Sequence, residues 1–162
     1  MKQVAIIMGS KSDFDAVLPA KKMLDKFGVE SSVFIMSAHR TPREVEEFAT
    51  TAKEQGYKII IAAAGKAAHL AGVIAGNTVL PVIGIPMKSS TLDGLDSLLS
   101  TVQMPAGIPV ATVAIGGSEN AALLAIQMLA MNDEALYEKL LAHRVEMKDK
   151  INHDNNAIQE LL

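Results

Sequence analysis

Short apolar runs alternate with stretches of helical periodicity along most of this chain. Val4 to Met8 is an uninterrupted apolar run of strand length that meets Gly9. Phe14 to Phe27 places Val17, Leu18, Met23, Leu24 and Phe27 at helical spacing. Gly28 is its stop signal, and Pro19 inside the pattern predicts a kink. Val29, Ser31, Val33 and Ile35 alternate with other residues and predict a second strand. Thr41 is a good N-cap, Pro42 suits the first helical position, and Glu44 completes a capping box, so a helix is expected from there to about Gln55. Further strands are expected at Lys58 to Ala63, Val79 to Ile85 and Val110 to Ile115, with Pro81 marking the start of the second of these. Helices are expected at Gly65 to Ala75, Leu92 to Val102 and Asn120 to Met131, and a more polar helical pattern runs on from Asp133.

Strands alternating with helices imply crossover connections and a parallel sheet. Five such units predict an α/β fold: a three-layer α/β/α sandwich on a flavodoxin-like, parallel five-stranded sheet, with an extra C-terminal helix. In that topology ligands bind beyond the carboxyl ends of the strands, where the winding reverses. The loops after the first and third strands flank that point. Residues 1–162 read as a single domain, with 133–162 a helical extension.

Composition narrows the function. A net charge of −3 leaves no nucleic-acid footprint. The absence of cysteine removes disulfides and thiolate metal sites, and fits a cytoplasmic protein. The N-terminal apolar run is too short for a signal segment or a membrane span.

Three loops hold candidate chemistry. In Gly9-Ser10-Lys11-Ser12-Asp13, a strand meets a helix, so free N–H groups and the helix dipole favour an anion. Two hydroxyls suit a phosphate or sugar, and Asp13 suits ribose hydroxyls. An ordinary N-cap turn uses the same residue types, so both readings stand. In Ser37-Ala38-His39-Arg40, the Arg40 fork suits a carboxylate or phosphate, and His39 titrates near neutrality and can move a proton. The alternative is a solvated loop histidine beside a surface arginine. Ala62 to Gly72 contains Gly65-Lys66, but Ile60 and Ala67 break the phosphate-loop pattern. There the small residues also suit close helix–sheet packing, and His69 suits a buried, satisfied histidine. No dinucleotide turn, metal-ligand spacing among the four histidines, or nucleophile elbow is present in the sequence.

Taken together, these loops carry more than each does alone. Met8 to Asp13, Ser37 to Pro42 and Ala67 to Leu70 resemble the bacterial-type N5-carboxyaminoimidazole ribonucleotide mutases. So do Asp96 to Pro105, Gly107 to Thr112 and Asn120 to Ala125, and the likeness runs from about Val4 to Leu129. The resemblance implies an isomerase of purine biosynthesis that moves a carboxylate from nitrogen to carbon. It further implies a homo-octamer with sites near subunit contacts, a small ribonucleotide substrate, and no metal, ATP or organic cofactor. It makes His39 the catalytic residue. Ser10, Ser12, Asp13, Ser37, Arg40, Gly65, Ala68, His69 and Leu70 become substrate-binding. Arg40 resembles the mutase type; the related carbon-dioxide-using carboxylases usually have Lys there. That carboxylase activity, or a non-catalytic nucleotide-binding module, is the alternative. Three positions depart from the pattern. Lys66 replaces the usual Gly, Ala71 replaces the usual Pro, and the loop at 116–120 is about two residues shorter.

Overall fold

A run of apolar residues with no polar side to offer water belongs inside a sheet covered on both faces. Strand β1 (Val4–Met8) is such a run, and all five of its residues are buried. The computed structural model of the chain, which describes residues 3–162, sets β1 between β2 (Ser31–Ile35) and β3 (Ile59–Ala64). Strands β4 (Val82–Pro86) and β5 (Ala111–Thr112) extend the sheet beyond β3, giving the order β2-β1-β3-β4-β5. Every pairing is parallel, and the register sets Val4 beside both Ser31 and Ile59. The chain builds β2 on one side of β1 and then crosses back to add β3 on the other. The winding therefore reverses between β1 and β3, the flavodoxin-like topology expected from the alternation of elements.

Successive strand residues point to opposite faces, and this sorts the helices. Ala5, Ile7, Ile60 and Ala62 pack with Val45, Phe48 and Ala49 of α2 (Pro42–Thr51), and with Leu70, Ala71 and Ile74 of α3 (Leu70–Gly76). Helix α4 (Leu95–Val102) covers β4 and β5 on this side. Gly84 lets it come close: a Cβ there would collide with Thr101 Cγ2 and meet Val110 Cγ1 at 3.1 Å. Ile6 and Met8 face the other way. Helix α1 (Phe14–Phe27) packs on β1 and β2, with Val17, Ala20, Leu24 and Phe27 as its buried stripe. Ser118, the first residue of α5 (Ser118–Ala130), donates its hydroxyl to the Ala16 carbonyl at 2.6 Å.

The chain divides into two compact units, Met1–Ala125 and Ile126–Leu162. The first holds the whole sheet. The second holds the end of α5 and the long helix α6 (Glu134–Gln159), whose N-cap Asp133 accepts a hydrogen bond from Leu136 N. None of the helices among the described residues is long and apolar enough to cross a membrane.

Several boundaries differ from the sequence expectation for identifiable reasons. Helix α1 runs unbroken through Pro19. The capping box at Thr41 does not form, because the Thr41 hydroxyl turns back to Ser37. Helix α2 ends at Thr51, and turns lead on to Gly56, which sits at φ +94°. Helix α3 begins at Leu70, not Gly65, because Lys66 has φ +55°, a value no right-handed helix accepts. Likewise Asp93 at φ +57° and Gly94 at φ +104° delay α4 from Leu92 to Leu95. β4 begins after Pro81, which has no N–H to give the ladder, and exposed Val79 stays outside. Among the described residues, edge strand β5 has β4 as its only neighbour, and just two residues of the predicted run pair with it.

Candidate active site

The carboxyl ends of β1, β2, β3 and β4 open into one cleft of about 580 Å³. It lies at the reversal of winding, where a parallel sheet leaves room between diverging loops.

The loop after β1 begins where the Gly9 N–H donates to the Ala63 carbonyl at 3.1 Å, tying β1 to the end of β3. Ser10 caps a short 3-10 turn, Lys11–Asp13, and its Oγ accepts from Ser12 N at 3.3 Å and from Ser12 Oγ at 2.9 Å. The N-cap reading of this loop is therefore correct in geometry. It does not displace the binding reading, since Ser10, Ser12 and Asp13 all line the cleft. Burial raises the Asp13 carboxyl above its ordinary value, partly offset by a backbone hydrogen bond at Ser10.

The loop after β2 is tied by its own residues. Thr41 Oγ1 accepts from Ser37 N at 2.8 Å and donates to the Ser37 carbonyl at 3.1 Å, and Thr41 N donates to the same carbonyl at 2.9 Å. Ser37 Oγ accepts from Arg40 N at 3.2 Å and from Arg40 Nε at 3.4 Å. Arg40 Nη2 then reaches across to the Gly9 carbonyl at 2.7 Å. Two of the five guanidinium N–H groups are thus used to aim the fork, and three remain for an anion in the cleft.

His39 Nε2 lies 2.9 Å from His69 Nδ1, with the two rings nearly perpendicular at 88°. A pair this close shares one hydrogen between two nitrogens, so the tautomer of each ring is set by the other. Both rings are exposed to the cleft, which allows either to reach a bound molecule. His69 is therefore a partner of His39 and not a buried packing residue.

The loop after β3, Gly65 to His69, is held from outside. Ser100 Oγ on α4 accepts from Ala68 N at 3.2 Å, and its one hydroxyl hydrogen is shared between the Asp96 carbonyl, the nearer acceptor, and the Lys66 carbonyl at 3.2 Å. Gly65, His69 and Leu70 line the cleft as expected. Ala68 does not: it is buried beneath the loop, and its role is the N–H that meets Ser100.

Sequence reasoning missed the loop after β4. Lys88, Ser89 and Ser90 close the fourth side of the cleft. Lys88 pairs with Asp93 at 2.9 Å, and Ser89 Oγ lies 2.8 and 2.9 Å from the two Asp96 oxygens. Topology was the available signal: β4 adjoins β3 in a parallel sheet, so its carboxyl end must reach the same cleft.

A family model described as AIR carboxylase matches residues 3–150. The chain is 52% identical to an N5-carboxyaminoimidazole ribonucleotide mutase of Pyrococcus horikoshii, over 98% of this chain and 89% of that one. It is 51% identical to an enzyme of the same name from Vibrio vulnificus, over 98% and 99%. The crystal structure of Treponema denticola PurE superposes with a TM-score of 0.86 at 28% identity, over 96% and 98% of the two chains.

Proposed function

The chain belongs to the AIR carboxylase family in its N5-carboxyaminoimidazole ribonucleotide mutase form, and from that premise we propose that His39 moves the proton in its reaction. The enzyme is an isomerase of purine biosynthesis. It converts N5-carboxyaminoimidazole ribonucleotide to 4-carboxyaminoimidazole ribonucleotide. The observation that carries the assignment of roles is the 2.9 Å contact between His39 and His69, set in the cleft beside the Arg40 fork.

The reaction divides into two proton-balanced steps. The N–C bond of the carbamate breaks, its electron pair returns to nitrogen, and His39 as imidazolium gives that nitrogen a proton while carbon dioxide is released. The electron-rich ring carbon then attacks the trapped carbon dioxide, and His39, now neutral, takes the proton this carbon loses. The histidine ends as it began, and one imidazole serves as acid in the first step and as base in the second. Holding both fragments in one cleft makes recombination effectively unimolecular. Keeping water out retains the carbon dioxide. Arg40 and the N–H groups at Ser10 hold the substrate's anionic groups, with Ser37 and Gly9 setting the angle of the fork. Asp13 meets ribose hydroxyls, while Gly65, His69 and Leu70 form the opposite wall. These steps balance without a metal or an organic cofactor.

The same reading carries a cytoplasmic homo-octamer with 1–162 as one catalytic chain. Exposed Leu95, Leu99 and Val102, spaced along a single face of α4, support a subunit contact there. Sedimentation velocity of the purified protein distinguishes an octamer from smaller species.

The decisive assay follows product absorbance from fresh N5-carboxyaminoimidazole ribonucleotide, beside a parallel reaction of aminoimidazole ribonucleotide with bicarbonate. Fast conversion of the first and slow conversion of the second is expected. The opposite preference would make the enzyme a carboxylase, and turnover of neither would leave only a nucleotide-binding module.

A further inference from the structure

Lys66 occupies a backbone conformation that suits glycine. At φ +55° its Cβ crowds the following carbonyl, a strain that non-glycine residues accept mainly where the surroundings impose it. Here Ser100 borders the turn on both sides: its Oγ accepts from Ala68 N at 3.2 Å and lies 3.2 Å from the Lys66 carbonyl, which shares its hydrogen with the Asp96 carbonyl. A side chain kept under strain at the wall of a cleft points to a use for that side chain.

The charges of the cleft show what that use is. Three cations line it, Arg40, Lys66 and Lys88. Lys88 is neutralised by Asp93 at 2.9 Å, and Arg40 is drawn toward the β1–β2 side by Gly9 and Ser37. Among the described residues Lys66 has no ion-pair partner. It lines the cleft from the loop that also carries His69, whose ring meets His39 at 2.9 Å. A nucleotide whose phosphate lies toward Arg40 and Ser10 presents its reacting carboxylate to the histidine pair, and so to Lys66.

We propose that Lys66 is a specificity-determining residue that holds the migrating carboxylate of the substrate. This rests on the mutase reading above. The carboxylate is present in substrate and product but not in the carbon dioxide released between them, so the ammonium acts on binding and not on the chemical step. It also separates the carboxylated nucleotide from its decarboxylated relative, which has nothing to offer the charge.

Calorimetric titration of wild type, Lys66→Met and Lys66→Gly with 4-carboxyaminoimidazole ribonucleotide and with aminoimidazole ribonucleotide tests this without turnover. Lys66→Met keeps the length and loses the charge. It should weaken the carboxylated nucleotide roughly tenfold, the worth of one charge-assisted hydrogen bond, and change the other less than about twofold. In the steady state, KM for the N5-carboxylated substrate should rise by a similar factor with kcat not lowered. Lys66→Gly should show the same loss together with a higher unfolding temperature, since glycine relieves the φ strain. Equal weakening of both nucleotides would assign Lys66 to the phosphate and overturn the proposal, as would no change in either. Wild-type turnover with unaltered Lys66→Met binding would remove only this assignment; a wild type that binds neither nucleotide would remove the mutase reading itself.

Discussion

The loops after β2 and β3 end at the same edge of the sheet and each supplies one histidine of the pair, yet they are held differently. The Ser37–Thr41 loop is tied mainly by bonds among its own residues, within four positions along the chain, with one longer reach from Arg40 to the Gly9 carbonyl. The Gly65–His69 loop depends on a hydroxyl from α4, more than thirty positions away. A self-tied loop holds its shape whenever its strand is in place. A loop held from outside takes the shape of whatever its anchor permits, including a lysine at positive φ. The proposed chemistry follows this difference: His39 and the Arg40 fork sit on the first loop, and Lys66 sits on the second.

The largest effect that separates the two belongs to the histidines. His39→Asn should lower kcat by about a thousandfold, the usual worth of a positioned acid–base group, with nucleotide affinity kept. His69→Asn should cost roughly tenfold, because it loses only the orientation and tautomer of its partner. Paired kcat measurements decide this, and equal losses in both variants would show that the two rings act as one unit.

Removing the anchors should give smaller, qualitatively different losses. Thr41→Val and Ser100→Ala each remove hydrogen bonds at a partly buried turn, at a cost of about 1–2 kcal/mol in stability. A drop of a few degrees in unfolding temperature would register each at this chain length, given roughly 2–4 °C per kcal/mol. In kinetics they should part. Thr41→Val misaims His39 and lowers kcat, whereas Ser100→Ala releases Lys66 and His69 and raises KM for the carboxylated nucleotide. If both variants lowered kcat alone, the loops would not divide the work in this way.

The smallest effect concerns Asp13, on the loop after β1. Burial raises its carboxyl above the ordinary value in the folded protein, so the native state binds this proton more readily than the unfolded chain. The resulting stabilisation is fully present below the ordinary carboxylate value and is lost as pH rises through the raised one. Asp13→Asn should flatten that slope in denaturant titrations across the acid range while raising KM. A slope unchanged by the substitution would show that the carboxyl is not the titrating group.

The same contrast explains what was legible in the residues. β1 was read to the residue, because an unbroken apolar run allows only a doubly covered strand. Strand order followed from alternation, and order located the cleft. The self-tied loop showed its cleft-lining residues, since Ser37, His39 and Arg40 are neighbours in sequence as well as in space. The start of α3 did not show: Ala67, Ala68, Leu70 and Ala71 have helical spacing, and nothing about a lysine announces φ +55° when its cause is a serine on another helix. Thr41 was misread for a related reason. Its hydroxyl had two acceptable bonds, one forward into α2 and one back to Ser37, and only the fold decides between them. Lys88 and Ser89 lay outside any motif and enter the cleft solely because β4 adjoins β3.

The all-parallel sheet also imposes an order in time. Each strand pairing closes a crossover through a helix, and such long closures make parallel topologies slow to assemble. The histidines, Arg40, Lys66 and Lys88 line one cleft only when β1, β2, β3 and β4 are all in register. The cleft needs all four of these strands side by side, so a sheet lacking any one of them leaves a wall of the cleft open.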